Sequence, residues 1–484
     1  MVRRRTIRRG LAGPVALGVL ALLPGVATAD TKLPTYALAQ DATPVKGRAS
    51  TADAPSIRPG TYSDSIGRGE ERRYALTLDT KTTAYVSAVA APAPGSKVED
   101  YTDGLTVSLQ DNSGTTCGTD GDARYRGGRT AYPLAAYATR RVGGDFSECK
   151  QAGRYYVVVK RSGDATSGPD RWPLELRYMT EPQLSGPAPG EPGEGSWSSA
   201  TPAAPTGGEE KRVTGGTGFN DAASVGKGQW SDRIRPGETR FYRVPVDWGQ
   251  RLNVSAELPS APKQPGVGVS TFTPDAFGLT AYNPARGVVS DEAFEPYEGR
   301  QKEARLFTAP VHYGNRSGDD ESVRAMSVAG WYYLEVSLNP DAAKFFKKGA
   351  DVTLRVDLRG AAQAGPRYAR PAADFSVSPE DRELAETGRT ASEAERHGNL
   401  QTVGFTGLGV GAVLLAGLGV WTVAARRKAA AGATAVTGPA AGAPGGPAAP
   451  MPGPGVQMPG QQPYNGRSGP QDAGQGFGQP PRGR

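Results

Sequence analysis

Few residues in this chain are equipped for bond-making chemistry. Its 484 residues include two histidines, His312 and His397, and two cysteines, Cys117 and Cys149. No Gly-x-Ser-x-Gly, His-Glu-x-x-His or phosphate-loop spacing occurs. A general base would have to be a carboxylate, with Asp319-Asp320-Glu321 and Asp291-Glu292 as candidates by composition. Neither group has a nucleophile or orienting partner at a usable spacing, so solvated loop acids are the better reading. Calcium is the next chemistry to weigh, because Asp111, Asn112, Asp120 and Asp122 gather oxygen ligands in one loop region. Their spacing does not match an EF-hand loop, and turns use the same residue types. The pair Tyr155-Tyr156 and the trio Trp331-Tyr332-Tyr333 suggest a sugar-stacking platform. Adjacent strand residues face opposite sides, however, so packing is the expected role. No catalytic residue, metal ligand or cofactor is assigned, and no enzyme is expected.

The elements around these residues describe an exported, anchored protein. Arg3, Arg4, Arg5, Arg8 and Arg9 precede an apolar run from Leu11 to Val26, and Ala27-Thr28-Ala29 supplies a cleavage site, so 1–29 reads as a signal peptide. Arg8-Arg9 leaves both the general and the twin-arginine export routes open. Thr402 to Ala425 runs for 24 residues without a charge and is followed by Arg426-Arg427-Lys428. At roughly 36 Å as a helix it is long enough to span a bilayer. The basic triplet puts the C-terminal side in the cytoplasm. Gly407 and Gly411 form one GxxxG, a route to weak self-association. Both cysteines fall in the exported part, where a Cys117–Cys149 disulfide is expected.

The formal charge of +7 invites a nucleic-acid reading until it is divided along the chain. The signal and the segment 426–484 carry +5 each, which leaves −3 for 30–425. The basic balance belongs to targeting and tail, and no nucleic-acid partner is expected.

The body contains an internal repeat. Gly60-Thr61-Tyr62-Ser63-Asp64-Ser65-Ile66 through Gly69-Glu70 to Tyr74 aligns without gaps on Gly228-Gln229-Trp230-Ser231-Asp232-Arg233-Ile234 through Gly237-Glu238 to Tyr242. Ala152-Gly153-Arg154-Tyr155-Tyr156 recurs as Ala329-Gly330-Trp331-Tyr332-Tyr333, with an insertion of about ten residues in the middle of the second copy. Period-two patterns such as Tyr74/Leu76/Leu78, Leu105/Val107/Leu109 and Val352/Leu354/Val356 predict antiparallel sheet with one buried face. The fold class expected is mainly β: two tandem jelly-roll-like β-sandwich domains, plus one transmembrane helix and a disordered tail.

The order Asp-x-Ile-x-x-Gly-Glu-x-x-x-Tyr, a hydrophobic strand, Leu105-Thr106-Val107-Ser108-Leu109 with Asp111-Asn112-Ser113-Gly114, then Ala-Gly-x-Tyr-Tyr resembles the bacterial pre-peptidase C-terminal domain. That resemblance covers both copies and implies a jelly-roll-like sandwich of the kind found beside secreted peptidases and on surface proteins. Ala309-Pro310-Val311-His312-Tyr313-Gly314-Asn315-Arg316 and Ser327 to Tyr333 are similar to the membrane-proximal region of actinobacterial membrane-anchored von Willebrand factor A proteins.

The expected organisation is therefore a signal peptide (1–29), a flexible N-terminal segment (30–56), sandwich one (57–180) and a Gly/Pro-rich linker (181–224). Sandwich two (225–360), a stalk (361–401), the span (402–425) and a cytoplasmic tail (426–484) follow. Ser378-Pro379-Glu380-Asp381 predicts a helix start within the stalk. The tail has 25 Gly or Pro among the 56 residues from Ala429 and no apolar pattern, so disorder is expected. The function expected is a single-pass extracytoplasmic binding or scaffold protein of the bacterial envelope, its partner an envelope protein or cell-wall polymer. The alternative is an extracytoplasmic enzyme or a peptidase-associated accessory or inhibitory module.

Overall fold

The structure is a computed structural model that describes residues 32–118, 120–142, 149–190, 209–261, 272–394, 396 and 418–427. The signal peptide, His397, Gly407, Gly411, most of the expected span and all but the first residues of the tail lie outside them. Residues 418–427 are helical, and among the described residues no helix is long and apolar enough to cross a membrane.

The first copy supplies β1 (Thr43–Pro44), β2 (Gly60–Ile66), β3 (Glu71–Leu78), β4 (Thr83–Ala90), β5 (Gly104–Gln110), β6 (Gly121–Arg124), β7 (Leu134–Arg140), β8 (Gly153–Ser162) and β9 (Trp172–Glu181). The second supplies β10 (Glu210–Arg212), β11 (Ala223–Ser224), β12 (Gly228–Ile234), β13 (Thr239–Val246), β14 (Arg251–Leu258), β15 (Thr273–Tyr282), β16 (Val288–Tyr297), β17 (Lys302–Phe307), β18 (Gly330–Leu338) and β19 (Ala350–Arg359). Two sheets form in each copy. The orders are β1-β2-β9-β4-β7 and β3-β8-β5-β6 in the first, β10-β12-β19-β14-β17 and β11-β13-β18-β15-β16 in the second. Apart from β11, whose counterpart in the first copy is a single bridge between Ser56 and Ala75, the two topologies coincide, so the sequence repeat is a structural repeat. The alternating residues do what their period requires. Tyr74, Leu76, Leu78, Leu105, Val107 and Leu109 fill one core, and Leu252, Val254, Val352, Leu354 and Val356 fill the other. The net insertion falls between β17 and β18, because Val86 faces Ala138 as Val254 faces Leu306, still at the starting offset, whereas Tyr74 faces Val157 as Tyr242 faces Leu334, at the larger one.

Three expected boundaries need correction. The segment 30–56, expected to be flexible, is built into the body from its first described residues. β1 pairs in parallel with β2 as β10 does with β12, Thr43 facing Tyr62 and Lys211 facing Trp230. The segment expected to be a linker reaches too far for the same reason, because residues 210–224 carry β10 and β11 and belong to the second sandwich. The stalk does not stand free. Phe375 is buried against Tyr85, Tyr368 bonds Glu181, and helix α2 (Pro379–Ala385) joins the body through Trp331 Nε1 to Asp381 and Arg382 to Asp247. The start of α2 is a capping box, with Ser378 and Asp381 exchanging side-chain bonds to each other's N–H.

Cys117 and Cys149 form a disulfide with a Cα separation of 5.5 Å. It ties the turn after β5 to the segment before β8, where the Cys149 carbonyl also accepts from Arg140 and Tyr155.

Candidate functional site

The repeated motif is consumed by structure. Asp64 accepts the Tyr74 hydroxyl at 2.8 Å and the Gly47 N–H at 2.8 Å, and Asp232 accepts Tyr242 at 2.7 Å and Gly215 at 2.8 Å. Arg72 donates to the Gly47 carbonyl and pairs with Glu70, as Arg240 does with Gly215 and Glu238. The glycine is required at this node. A Cβ would come within 2.7 Å of the Tyr74 ring at Gly47 and 2.9 Å of the Tyr242 ring at Gly215. Asp-x-Ile-x-x-Gly-Glu-x-x-x-Tyr is thus a hydrogen-bonded clamp between an edge segment and its sheet.

Chemistry concentrates where the copies meet. β9 turns Leu174, Leu176 and Tyr178 into its own core, so its alternate residues Glu175, Met179 and Glu181 face the second copy. Glu175, 0 % exposed, receives Arg286, Asn220, the Tyr36 hydroxyl and the Ala39 N–H. Burial opposes its ionisation, but Arg286 and these donors outweigh burial and hold the carboxyl below its ordinary range. Arg286 reaches it from a turn in left-handed conformation (φ 64°), pinned by the Asn283 side chain. Glu181 receives Arg316 at 2.9 Å, Tyr85 at 2.9 Å and Tyr368 at 2.7 Å. Phe219, Phe241, Tyr282 and Tyr333 pack on one another and on Val89 and Ala135 of the first copy in the same seam.

Beside this seam opens a cleft of about 440 Å3, lined from the first copy by Asp122, Arg124, Arg126, Tyr132 and Ala136, and from the second by Gly278, Thr280, Tyr282, Phe294, Glu321 and Glu335. Glu335, on β18, is 4 % exposed. Its carboxylate accepts Tyr282 at 2.8 Å and Ser337 at 3.3 Å, and burial pushes its pKa up to about 7.

The residues singled out in the sequence mostly do other work. Asp111 closes its own turn through Ser113 and Thr115, and Asp122 pairs with Arg124. Among the described residues no three His, Cys, Asp or Glu come together as a metal site. Asp320 caps helix α1 (Glu321–Ala325) by accepting Ser322 N–H, and Glu321 lines the cleft. The side chains of Asp291 and Glu292 lie outside the described residues. His312 accepts the Gly314 N–H through Nδ1, and burial lowers its pKa. Tyr155 lies in the first core and Tyr156 under Ala54; Tyr332 lies in the second core and Tyr333 in the seam, so none is a platform. Glu335 was missed, although one signal was available. It occupies the place of Val158 in the aligned strands, opposite Phe241 as Val158 is opposite Arg73.

No family model and no curated protein matches the chain. Among solved structures it is similar to the pre-peptidase C-terminal domain of collagenase from Bacillus anthracis, at 12 % identity over 31 % of this chain and 98 % of that one, with a TM-score of 0.16. It is also similar to the CUB1-EGF-CUB2 domain of human MASP-1/3 (7 % identity, 62 % and 99 % covered, TM-score 0.15) and to the plant receptor-like kinase ANX1 (7 %, 63 % and 86 %, TM-score 0.17). Likenesses this faint assign no activity or partner. The class itself, sandwich-like sheets with few helices, stands on the strand pairing described above.

Proposed function

We propose that this chain is a non-catalytic binding or scaffold protein of a bacterial envelope, anchored by one transmembrane helix at 402–425. In this reading the signal peptide 1–29 is removed, each copy is a jelly-roll-like module of the pre-peptidase C-terminal kind, and 426–484 is a disordered cytoplasmic tail. The modules precede the span as similar units do in membrane-anchored von Willebrand factor A proteins. One observation carries it: an uncharged run of 24 residues ends in Arg426-Arg427-Lys428 after an arginine-headed apolar start and a β-rich body. The use of Glu175, Glu181, Arg286 and Arg316 to lock two sandwiches together supports a rigid presenting body. The partner is an envelope protein or wall polymer, with Gly407 and Gly411 available for weak self-association. Topology gives the test. In intact cells Glu383→Cys is labelled by an impermeant thiol reagent and Ser468→Cys is not, whereas the reverse pattern overturns the orientation.

Glu335 favours a second reading, an extracytoplasmic enzyme or peptidase-associated module, because a buried carboxyl titrating near 7 is what general acid–base work needs. Turnover in a peptide and glycan panel that disappears in Glu335→Gln would replace the first reading with this one.

A further inference from the structure

We propose that the cleft between the copies binds a primary ammonium group on an aliphatic stem, the chemistry of a lysine side chain, with Glu335 as its counter-charge. The inference rests on reading the body as a binding module: substrate turnover would overturn that reading, whereas the outcomes below decide only this one.

Three independent features converge. The first is an uncompensated acid. Glu175 and Glu181 in the seam each meet an arginine, whereas among the described residues Glu335 meets the hydroxyls of Tyr282 and Ser337 and no cation. The second is its place in the repeat. The equivalent Val158 is apolar and buried, so a carboxylate here carries a desolvation penalty that folding alone does not require.

The third is a wall built from both copies. The Phe294 ring lies where a Cβ on Gly127 or Gly278 would come within 2.8 or 2.9 Å of it, and the Tyr132 ring lies 5.5 Å away at 33°. This apolar surface suits a methylene stem, while the hydroxyls of Thr280 and Ser290 line the same space. The cations of the lining are engaged: Arg124 holds Asp122 at 2.9 Å, and Arg126 has a contact of its own. Glu321 adds a second acid to the lining. The Tyr282 phenol bonds Glu335, and the phenols of Tyr125 and Tyr132 lie within reach of its charge, both raised above their ordinary values by burial first and by Glu335 as well. An ammonium entering the cleft leaves Glu335 ionised, and the carboxyl proton goes to solvent.

Calorimetry on the full-length protein in nonionic detergent tests this with Nα-acetyl-lysine amide, and with Nα-acetyl-norleucine amide as the uncharged control. The lysine probe should bind, its affinity falling about tenfold per pH unit below 7, with release of up to one proton per site seen by changing the buffer's ionisation enthalpy. Glu335→Gln, which retains the acceptor for Tyr282, should weaken binding about tenfold or more and abolish the proton release. Absence of binding at millimolar probe, equal binding of the norleucine probe, or binding without proton release would each overturn the site. If the variant does not fold, proton release by the unaltered protein still decides.

Discussion

Replacing Glu335 by Gln should stabilise this protein, and only above a defined pH. The native carboxyl titrates near 7 because burial disfavours its charge, against 4.5 in the unfolded chain. Below 4.5 both states are protonated and the group contributes no difference. Between 4.5 and 7 the folded state keeps a proton that the unfolded state has lost, so stability falls as pH rises. Above 7 both states are ionised and the full penalty applies. The gap between those two values corresponds to a penalty of about 3 kcal/mol. Glutamine has nearly the same shape, still accepts from Tyr282 and carries no charge. Urea unfolding of both proteins should therefore give equal midpoints near pH 4 and a higher midpoint for the variant near pH 8, the gap opening through the window. Differencing removes the carboxylates common to both, such as Glu70 and Glu175, whose pKa values lie below the ordinary range. A gap independent of pH, or a variant less stable near pH 8, would refute the assignment of an uncompensated buried acid.

Arg286→Met should cost about 3 to 5 kcal/mol in the same unfolding assay, because Glu175 stays buried without its cation. Adding Glu175→Gln should recover much of that loss, and failure to recover would point to packing rather than charge. Reduction of Cys117–Cys149, 32 residues apart, should lower stability by roughly 3 to 4 kcal/mol, read as a fall in melting temperature on adding reductant. Tyr74→Phe and Tyr242→Phe should each cost about 1 to 2 kcal/mol and resemble one another, since each strips one donor from an aspartate that keeps its glycine N–H.

The sandwich class was legible because burial on one side imposes period two, and the repeat was legible because its turn and clamp residues recur in register. The start of each copy was not. β1 and β10 are edge strands of two and three residues, too short for any alternation. The gap-free alignment does extend upstream, through Val45/Val213, Gly47/Gly215, Asp53/Asp221, Ala54/Ala222 and Ser56/Ser224, and those pairs mark the true start. The seam was illegible for a different reason. Glu175 and Glu181 alternate with Leu174, Leu176 and Tyr178 just as solvent-facing residues would, and nothing local tells a face bathed in water from one covered by another sandwich. Glu335 was hidden among apolar neighbours and shows only when it is set against Val158.

The divergence between the copies follows from how they stack. The outer face of β4 and β9 in the first copy, with Tyr85, Val89 and Met179, docks on the outer face of β13 and β18 in the second, with Phe241 and Tyr333. Different faces meet, so the contact is heterologous, and repetition of it would build a row without end. Both free faces are altered against that. On the second copy the positions of Tyr85, Val89 and Met179 are Asn253, Glu257 and Asp357, and Arg355 pairs with Glu257 and Arg359 with Asp357. On the first copy the face equivalent to Phe241 and Tyr333 carries Arg73 and Tyr156, and Ala54 folds down onto Tyr156. Phe219, which fills the seam, has Thr51 as its counterpart there. One end is thus charged and the other covered, so neither repeats the residues that meet in the seam. The internal seam combines faces from both copies, and the cleft in which Glu335 has no cation partner among the described residues lies along it.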